Sequence, residues 1–323
     1  MIVANNTVPT MIGNGIERHF MSNSSGAPGI RNAAKQGSET MGFLFLFGPG
    51  YGNRRGMIRR RFLSNALTAT AATTLLRTAS AQHPDGEDFK LFLLVGQSNM
   101  AGRGKVGPKD LVPNPRVWSF NKSEKWVPAI APLHFDKPGI VGVGLGRAFG
   151  IAAAEQHPEW NIGLVPCAVG GSPLSSWEPG ARYDALGVTP YDDAIRRAKA
   201  AMKNGTLSGI LWHQGESDAG KPEQAATYAE RLTKMIGQFR SDLDAPDVPF
   251  LIGELGHLPD RPYTDRNNPV CVAHREVAES VPNCAVVSSK GLTPKSDGTH
   301  FDAESAKEFG KRYANIWEKK FGD

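Results

Sequence analysis

The chain has 323 residues, 40% of them hydrophobic, 21% charged and 8% aromatic. That is the composition of a folded globular protein, and no apolar run approaches the ~18–20 residues that a membrane-spanning helix needs. The net charge of +5 does not indicate a nucleic-acid partner, because residues 1–81 hold nine Lys/Arg against two Asp/Glu and the remainder, with 28 basic and 30 acidic residues, is weakly acidic.

Residues 1–56, rich in Gly, Asn and Ser and without sustained periodicity, read as a disordered extension or as a stretch ahead of the true start. From Met57 the chain runs through Arg59-Arg60-Arg61-Phe62-Leu63, a mildly apolar segment from Ala66 to Leu76, and Ala79-Ser80-Ala81. This is the pattern of a signal peptide at 57–81, and the paired arginines with modest hydrophobicity suit twin-arginine export. An amphipathic surface helix with a basic cap is the competing reading. Cleavage after Ala81 leaves residues 82–323 as one α/β domain, exported to the periplasm or the outside.

Beyond Lys90, short apolar runs alternate with longer segments of helical period, the pattern of a parallel sheet covered on both faces. Five strands are predicted, at Leu91–Val95, Ile162–Ala168, Gly209–His213, Phe250–Gly253 and Ala285–Val287. Helices are predicted at Leu145–Gln156, Tyr191–Asn204, Pro222–Leu243, Pro269–Ser280 and Ala303–Phe321. The polar, Pro-rich stretch 102–140 reads as an inserted loop with short strands. In such sheets ligands collect beyond the carboxyl ends of the strands, so the residues that follow each apolar run are the candidates for a site.

The first strand ends in Gly96-Gln97-Ser98-Asn99-Met100-Ala101-Gly102, which puts a serine at the turn into a helix. There it can act as a nucleophile with backbone N–H groups close by, or serve only as a cap. Met100 breaks the G-x-S-x-G pattern of the α/β-hydrolase elbow. Gly142-Val143-Gly144-Leu145-Gly146-Arg147 lacks the last glycine of a dinucleotide fingerprint and reads as a helix-start loop bordering the pocket. After the second strand, Val169-Gly170-Gly171-Ser172-Pro173 lets backbone approach a ligand closely. Trp177, a little further on, is either a platform for a sugar or rim packing. After the third strand comes Trp212-His213-Gln214-Gly215-Glu216-Ser217-Asp218, where the Gln214 amide can donate to a developing oxyanion or simply satisfy its loop. His213 points away from Gln214 if the pleat continues and reads as packed, as does Trp212 within the strand. Glu216 reads as a brace near Ser98 or Gln214, or as a surface salt bridge. Near the end, Asp297-Gly298-Thr299-His300 sets a carboxylate three residues ahead of an imidazole, a spacing that orients the ring or merely forms a turn.

The three cysteines, Cys167, Cys271 and Cys284, form no C-x-x-C pair and lie near no His at metal spacing, so no metal site is expected. Cys167 reads as a buried thiol. For Cys271 and Cys284 a short-loop disulfide and free thiols stand equally open.

The blocks GQSNMAG, VGGSP, WHQGESDA and DGTHF, in this order, resemble the SGNH (GDSL-like) hydrolases, and within them the branch of carbohydrate esterase family 6 and the sialate O-acetylesterase-like proteins. The resemblance runs from about Lys90 to Phe321. It implies a three-layer, flavodoxin-like α/β/α domain, a Ser-His-Asp esterase without cofactor or metal, and acetylated carbohydrate as substrate. Carried over motif by motif, it implies Ser98 as nucleophile, His300 as general base and then acid, and Asp297 as its orienting carboxylate. It further implies an oxyanion hole from the Ser98 and Gly170 N–H groups and the Gln214 amide. Gln97, Asn99, Gly171, Glu216 and Trp177 remain candidates for supporting or substrate contacts. A sialate O-acetylesterase and a non-catalytic carbohydrate-binding protein on the same fold are the alternatives.

Overall fold

The computed structural model describes residues 83–259 and 261–322. The extension at 1–56 and the signal sequence at 57–81 lie outside the described residues. The elements in chain order are β1 (Phe89–Gly96), α1 (Ser98–Ala101), β2 (Val117–Phe120), β3 (Trp126–Pro128), α2 (Leu145–Gln156), β4 (Asn161–Pro166), α3 (Pro190–Ala201) and β5 (Thr206–His213). They continue with α4 (Glu216–Ala219), α5 (Pro222–Ala226), α6 (Tyr228–Asp242), β6 (Phe250–Gly253), α7 (Pro269–Ser280), β7 (Cys284–Val287) and α8 (Ala303–Phe321).

The strands form one doubly wound sheet in the order β3-β2-β4-β1-β5-β6-β7, parallel throughout except where β3 runs antiparallel to β2. The sheet therefore has seven strands where five were expected. The two extra ones come from the 102–140 insertion and are four and three residues long, too short to show a period in sequence. β1 is buried along nearly its whole length, as a central parallel strand requires. Alternate side chains of β5 serve both faces: His213 packs against Phe309 of α8, while Trp212 meets Trp177 and the Tyr228 hydroxyl on the other side. From β1 the winding runs outward in both directions, so the crevice at the carboxyl ends of β4, β1 and β5 is the switch point where such folds place ligands.

Close packing of α2, α8 and the sheet depends on residues without a Cβ. A Cβ on Gly146 would lie 2.4 Å from Leu94 Cδ1, and one on Gly310 would lie 2.2 Å from the Leu145 carbonyl oxygen. α8 starts cleanly because the Asp302 carboxylate accepts the Ser305 N–H at 2.7 Å. α7 starts with the Asn268 side chain accepting Val270 N–H and Pro269 in the first turn, where no N–H is missed.

The helix expected over Pro222–Leu243 is broken. At Thr227 the backbone leaves helical geometry (φ −105°, ψ 7°), and its hydroxyl bonds back to the Glu223 and Gln224 carbonyls. The break turns Tyr228 inward, where it is fully buried. A Cys271–Cys284 disulfide is likewise not formed, and the three thiols are free. Cys271 sits in the first turn of α7 and Cys284 opens β7 beyond its other end, so the intervening helix separates them by ~14 Å at 1.5 Å per residue, far beyond disulfide reach. Burial pushes both thiols up to about 11.

Gly310→Ala must drive its Cβ into backbone of α2 rather than into a mobile side chain. It is expected to cost about 1–3 kcal/mol, the usual penalty of overpacking, read as a lower urea midpoint with an unchanged m-value.

Candidate active site

Three turns meet at the crevice. The first follows β1, where Gly96 (φ +125°) reaches a conformation and a closeness that only glycine allows: a Cβ there would lie 2.1 Å from the His213 carbonyl oxygen. The Gln97 N–H donates to that same carbonyl at 2.9 Å, and Ser98 opens α1 with a backbone N–H that has no intrahelical acceptor.

The second turn carries His300. Its Nε2 lies 3.0 Å from Ser98 Oγ, and its Nδ1 lies 2.9 Å from Asp297 Oδ2. With the proton on Nδ1, the ring donates to the carboxylate and accepts the serine hydroxyl. Asp297 Oδ1 accepts two backbone N–H groups, from Thr299 and His300, each at 2.9 Å, and the Arg261 guanidinium donates to the Asp297 and Gly298 carbonyls from outside. Burial works to raise the Asp297 carboxyl, but the hydrogen bonds from His300 and Thr299 and the charge of His300 hold it well below the usual carboxylate range. The turn therefore favours the ionised form of the carboxylate that faces the ring.

Asn99 and Glu216 lock this turn to the first. Asn99 Nδ2 donates to Glu216 Oε1 (2.7 Å) and to the Thr299 carbonyl (3.3 Å), while its Oδ1 accepts the Phe301 N–H (3.1 Å). The residues on either side of His300 are thus held by one amide. Glu216 is braced by His213 Nε2 at 3.3 Å, and the His213 ring is fully buried, as expected. Burial alone raises the Glu216 carboxyl, but the charge and hydrogen bond of His213 and the bond from Asn99 bring it below its ordinary value.

The third turn, after β5, departs from expectation. Gln214 is wholly buried, and its Nε2 faces Asp218 Oδ2 (2.6 Å), the Ser172 carbonyl (3.1 Å) and Gln97 Oε1 (3.2 Å). Its Oε1 accepts the Tyr228 hydroxyl at 2.7 Å. Two amide hydrogens facing three acceptors leave none for an oxyanion, so Gln214 is the knot that joins the strand ends rather than a free donor. Burial raises the Asp218 carboxyl that anchors it.

Gly170 is also spoken for. Its N–H donates to Asp136 Oδ2 at 2.8 Å, and that buried carboxylate is paired with Arg103 at the same distance. The unpaired N–H belongs to the next residue, Gly171, which sits at φ +84° and has no acceptor among the described residues. Trp177 is no sugar platform: it is fully buried, with Nε1 on Ser172 Oγ at 2.9 Å and its ring edge-on to Trp212. The loop at Gly142–Gly144 backs α1, with a Cβ on Gly102 only 2.4 Å from Gly144 N.

Asp136 and Arg261 reach the site from segments outside the motif blocks, while Arg103, directly after the first block, and Tyr228, 14 residues after Gln214, carried no motif signal of their own. Asp218 had a local signal, four residues after Gln214 in the same block.

Residues 88–319 match the family described as carbohydrate esterase, sialic acid-specific acetylesterase. A protein of Arabidopsis thaliana described as a probable carbohydrate esterase is 30% identical over 251 residues, covering 72% of this chain and 91% of the plant protein. The crystal structure of that protein aligns with a TM-score of 0.64 at 29% identity, over 72% of this chain and 98% of the other. A carbohydrate acetylesterase from Xanthomonas citri aligns with a TM-score of 0.53 at 19% identity, over 72% of this chain and 56% of the other, a likeness of fold.

The knot at Gln214 has a consequence for stability. Gln214→Leu removes the buried side-chain bonds to Asp218, the Ser172 carbonyl, Gln97 and the Tyr228 hydroxyl, and a buried group that loses its partner costs about 1–3 kcal/mol. Denaturant unfolding of this variant should show a loss of at least that size.

Proposed function

The chain belongs to the carbohydrate esterase family of sialic acid-specific acetylesterases, and from that premise we propose an exported serine esterase that removes O-acetyl groups from carbohydrate through an acyl-enzyme on Ser98. The observation that carries this reading is the unbroken line of hydrogen bonds from Ser98 Oγ through His300 to Asp297. As Oγ bonds to the ester carbonyl carbon, its proton passes to His300 Nε2 and the carbonyl π pair moves onto oxygen. Collapse of this intermediate breaks the bond to the sugar oxygen, which takes the proton from His300. Water then adds to the acetyl carbon while giving a proton to His300, and the second collapse returns that proton to Ser98 Oγ and releases acetate. Asp297, held ionised by its own turn, stabilises the imidazolium in both halves. The free N–H groups of Ser98 and Gly171 are the backbone donors available to the oxyanion.

An acidic acetylated sugar is favoured by one feature. Lys137 Nζ and Tyr183 Oη lie 3.8 and 3.0 Å from where a Cβ on Gly171 would stand, and neither has a partner among the described residues. An ammonium and a hydroxyl beside the acyl site suit a sugar carboxylate. Export rests on the twin arginines and on Ala79-Ser80-Ala81.

Ser98→Ala should keep the fold and lower kcat by on the order of 10⁶, the loss seen when a triad nucleophile is removed; activity within tenfold of wild type would refute the assignment. Acetate release from acetylated xylan, acetylated sialosides and a chromogenic acetate should show glycan deacetylation, with a higher kcat/KM on the sialoside if Lys137 reads a carboxylate. Sequencing of the protein from its own host should begin at or near Gln82; a product that keeps residues 57–81 rejects export.

A further inference from the structure

The exposed large apolar side chains among the described residues, Leu111, Val112, Ile130 and Ile140, all belong to the 102–140 insertion that supplies β2 and β3. Three of them stand side by side. Arg147 donates through Nε to the Ala129 carbonyl (3.0 Å) and through Nη2 to the Val112 carbonyl, and the Ala131 N–H donates to the Asp110 carbonyl at 3.0 Å. Leu111 and Val112 are thereby held against Ile130, at 51%, 61% and 40% exposure, and Pro113 and Pro132 beside them are exposed as well. The Asp110 carboxylate ties the same turn to Lys307 of α8 at 3.0 Å. A single exposed apolar residue needs no explanation, but a cluster held rigidly at the surface is a knob that marks an interaction site.

The knob forms the lip of a groove of about 820 Å³ between α2 and α8. Asp110, Ala131 and Arg147 line the lip, and Leu133, Ala148, Ile151 and Ala152 give an apolar floor; none of Ser98, Asp297 and His300 lines it. The groove runs along α2 toward Glu155, eight residues past Arg147 and so ~12 Å away at 1.5 Å per residue. A projection and a recess set end to end on one surface are what a twofold axis can fit to themselves. Charge follows the same plan. Lys109 beside the knob and Glu155 at the far end are exposed and have no ion pair among the described residues, whereas Glu304 and Glu308 on α8 are paired with Lys307 and Arg312. Lys311, midway along the groove and exposed, is long enough to swing into solvent. We propose that a second copy of this chain docks here: each copy lays Leu111 and Val112 on Ile151 and Ala152 of the other, and Lys109 of each faces Glu155 of the other. The twofold makes every contact twice and gives both unpaired charges a partner.

The test is sedimentation equilibrium of the full chain, which should show a reversible monomer–dimer equilibrium. Val112→Glu changes a side chain that is mostly exposed, so circular dichroism and melting temperature should stay as in the wild type. The dimer Kd should nevertheless rise at least about 100-fold, because an unpaired charge is buried at two symmetric places. Lys109→Glu and Glu155→Lys should each weaken the dimer by about tenfold through two like-charge contacts, and the double reversal should return to within about threefold of wild type. Only a surface that meets its own copy gives that rescue, since a membrane or a glycan would respond to each reversal separately. A full chain that stays monomeric at its highest soluble concentration overturns the proposal; binding to phosphatidylglycerol vesicles, lost in Val112→Glu, would then name a membrane as the occupant. A dimer that Val112→Glu leaves intact, or a double reversal no tighter than the single ones, overturns it equally.

Discussion

One buried amide holds together pieces of chain that are 200 residues apart in sequence. Asn99 bonds to the Thr299 carbonyl and the Phe301 N–H, and so grips His300 from both sides while Glu216 grips Asn99. Ser98 is the residue before Asn99, so the same contact that fixes the imidazole fixes it relative to the serine. The short distances along Ser98, His300 and Asp297 follow from this clamp, because the His300 turn is otherwise held from outside, by Arg261 and by backbone pairing at Lys295. Two groups held at hydrogen-bond length from different segments need such a rigid bridge, since small errors in their separation are costly.

The clamp works only because the ground under it is rigid. Gly96 lets β1 lie against the His213 carbonyl, Gly102 lets α1 fold back on Gly144, and Gly310 lets α8 close on α2. Each contact places backbone where a side chain would stand, so the strand ends and the two helices flanking the site cannot drift apart without losing close packing. Below them, the fully buried Trp177 and Trp212 support the Ser172 carbonyl and the Gln214 knot. Most polar groups here are buried in hydrogen-bonded pairs, although Glu216 Oε2 and Asp136 Oδ1 are buried with no partner among the described residues. This makes the crevice floor stiff, and it also consumes donors that a sequence reader would assign to a substrate.

The sequence by itself determined much of the molecule. Alternating apolar runs and helical periods placed five strands and four helices close to their observed bounds, because a central parallel sheet leaves a continuous apolar signature. The blocks after the strands named Ser98, Asp297 and His300, because the winding of an α/β sheet brings strand ends together whatever lies between. Asp297 and His300 needed only a local turn, and His213 needed only the pleat. Tertiary structure alone decided where each hydrogen bond goes. Gln214 and Gly170 carry donors of the right type in the right places, but their partners, Asp218, Ser172, Gln97 and Asp136, arrive from other turns, and an N–H already bonded to a buried carboxylate is not free to meet a substrate. The joining of the insertion's short strands β2 and β3 to the sheet edge, the break at Thr227, the burial of Trp177 and the separation of Cys271 from Cys284 were decided in the same way. Periodicity and motif spacing report which chemical groups lie near the switch point. Which of those groups remain unspent is settled by packing between segments distant in sequence, where each hydrogen has one best acceptor.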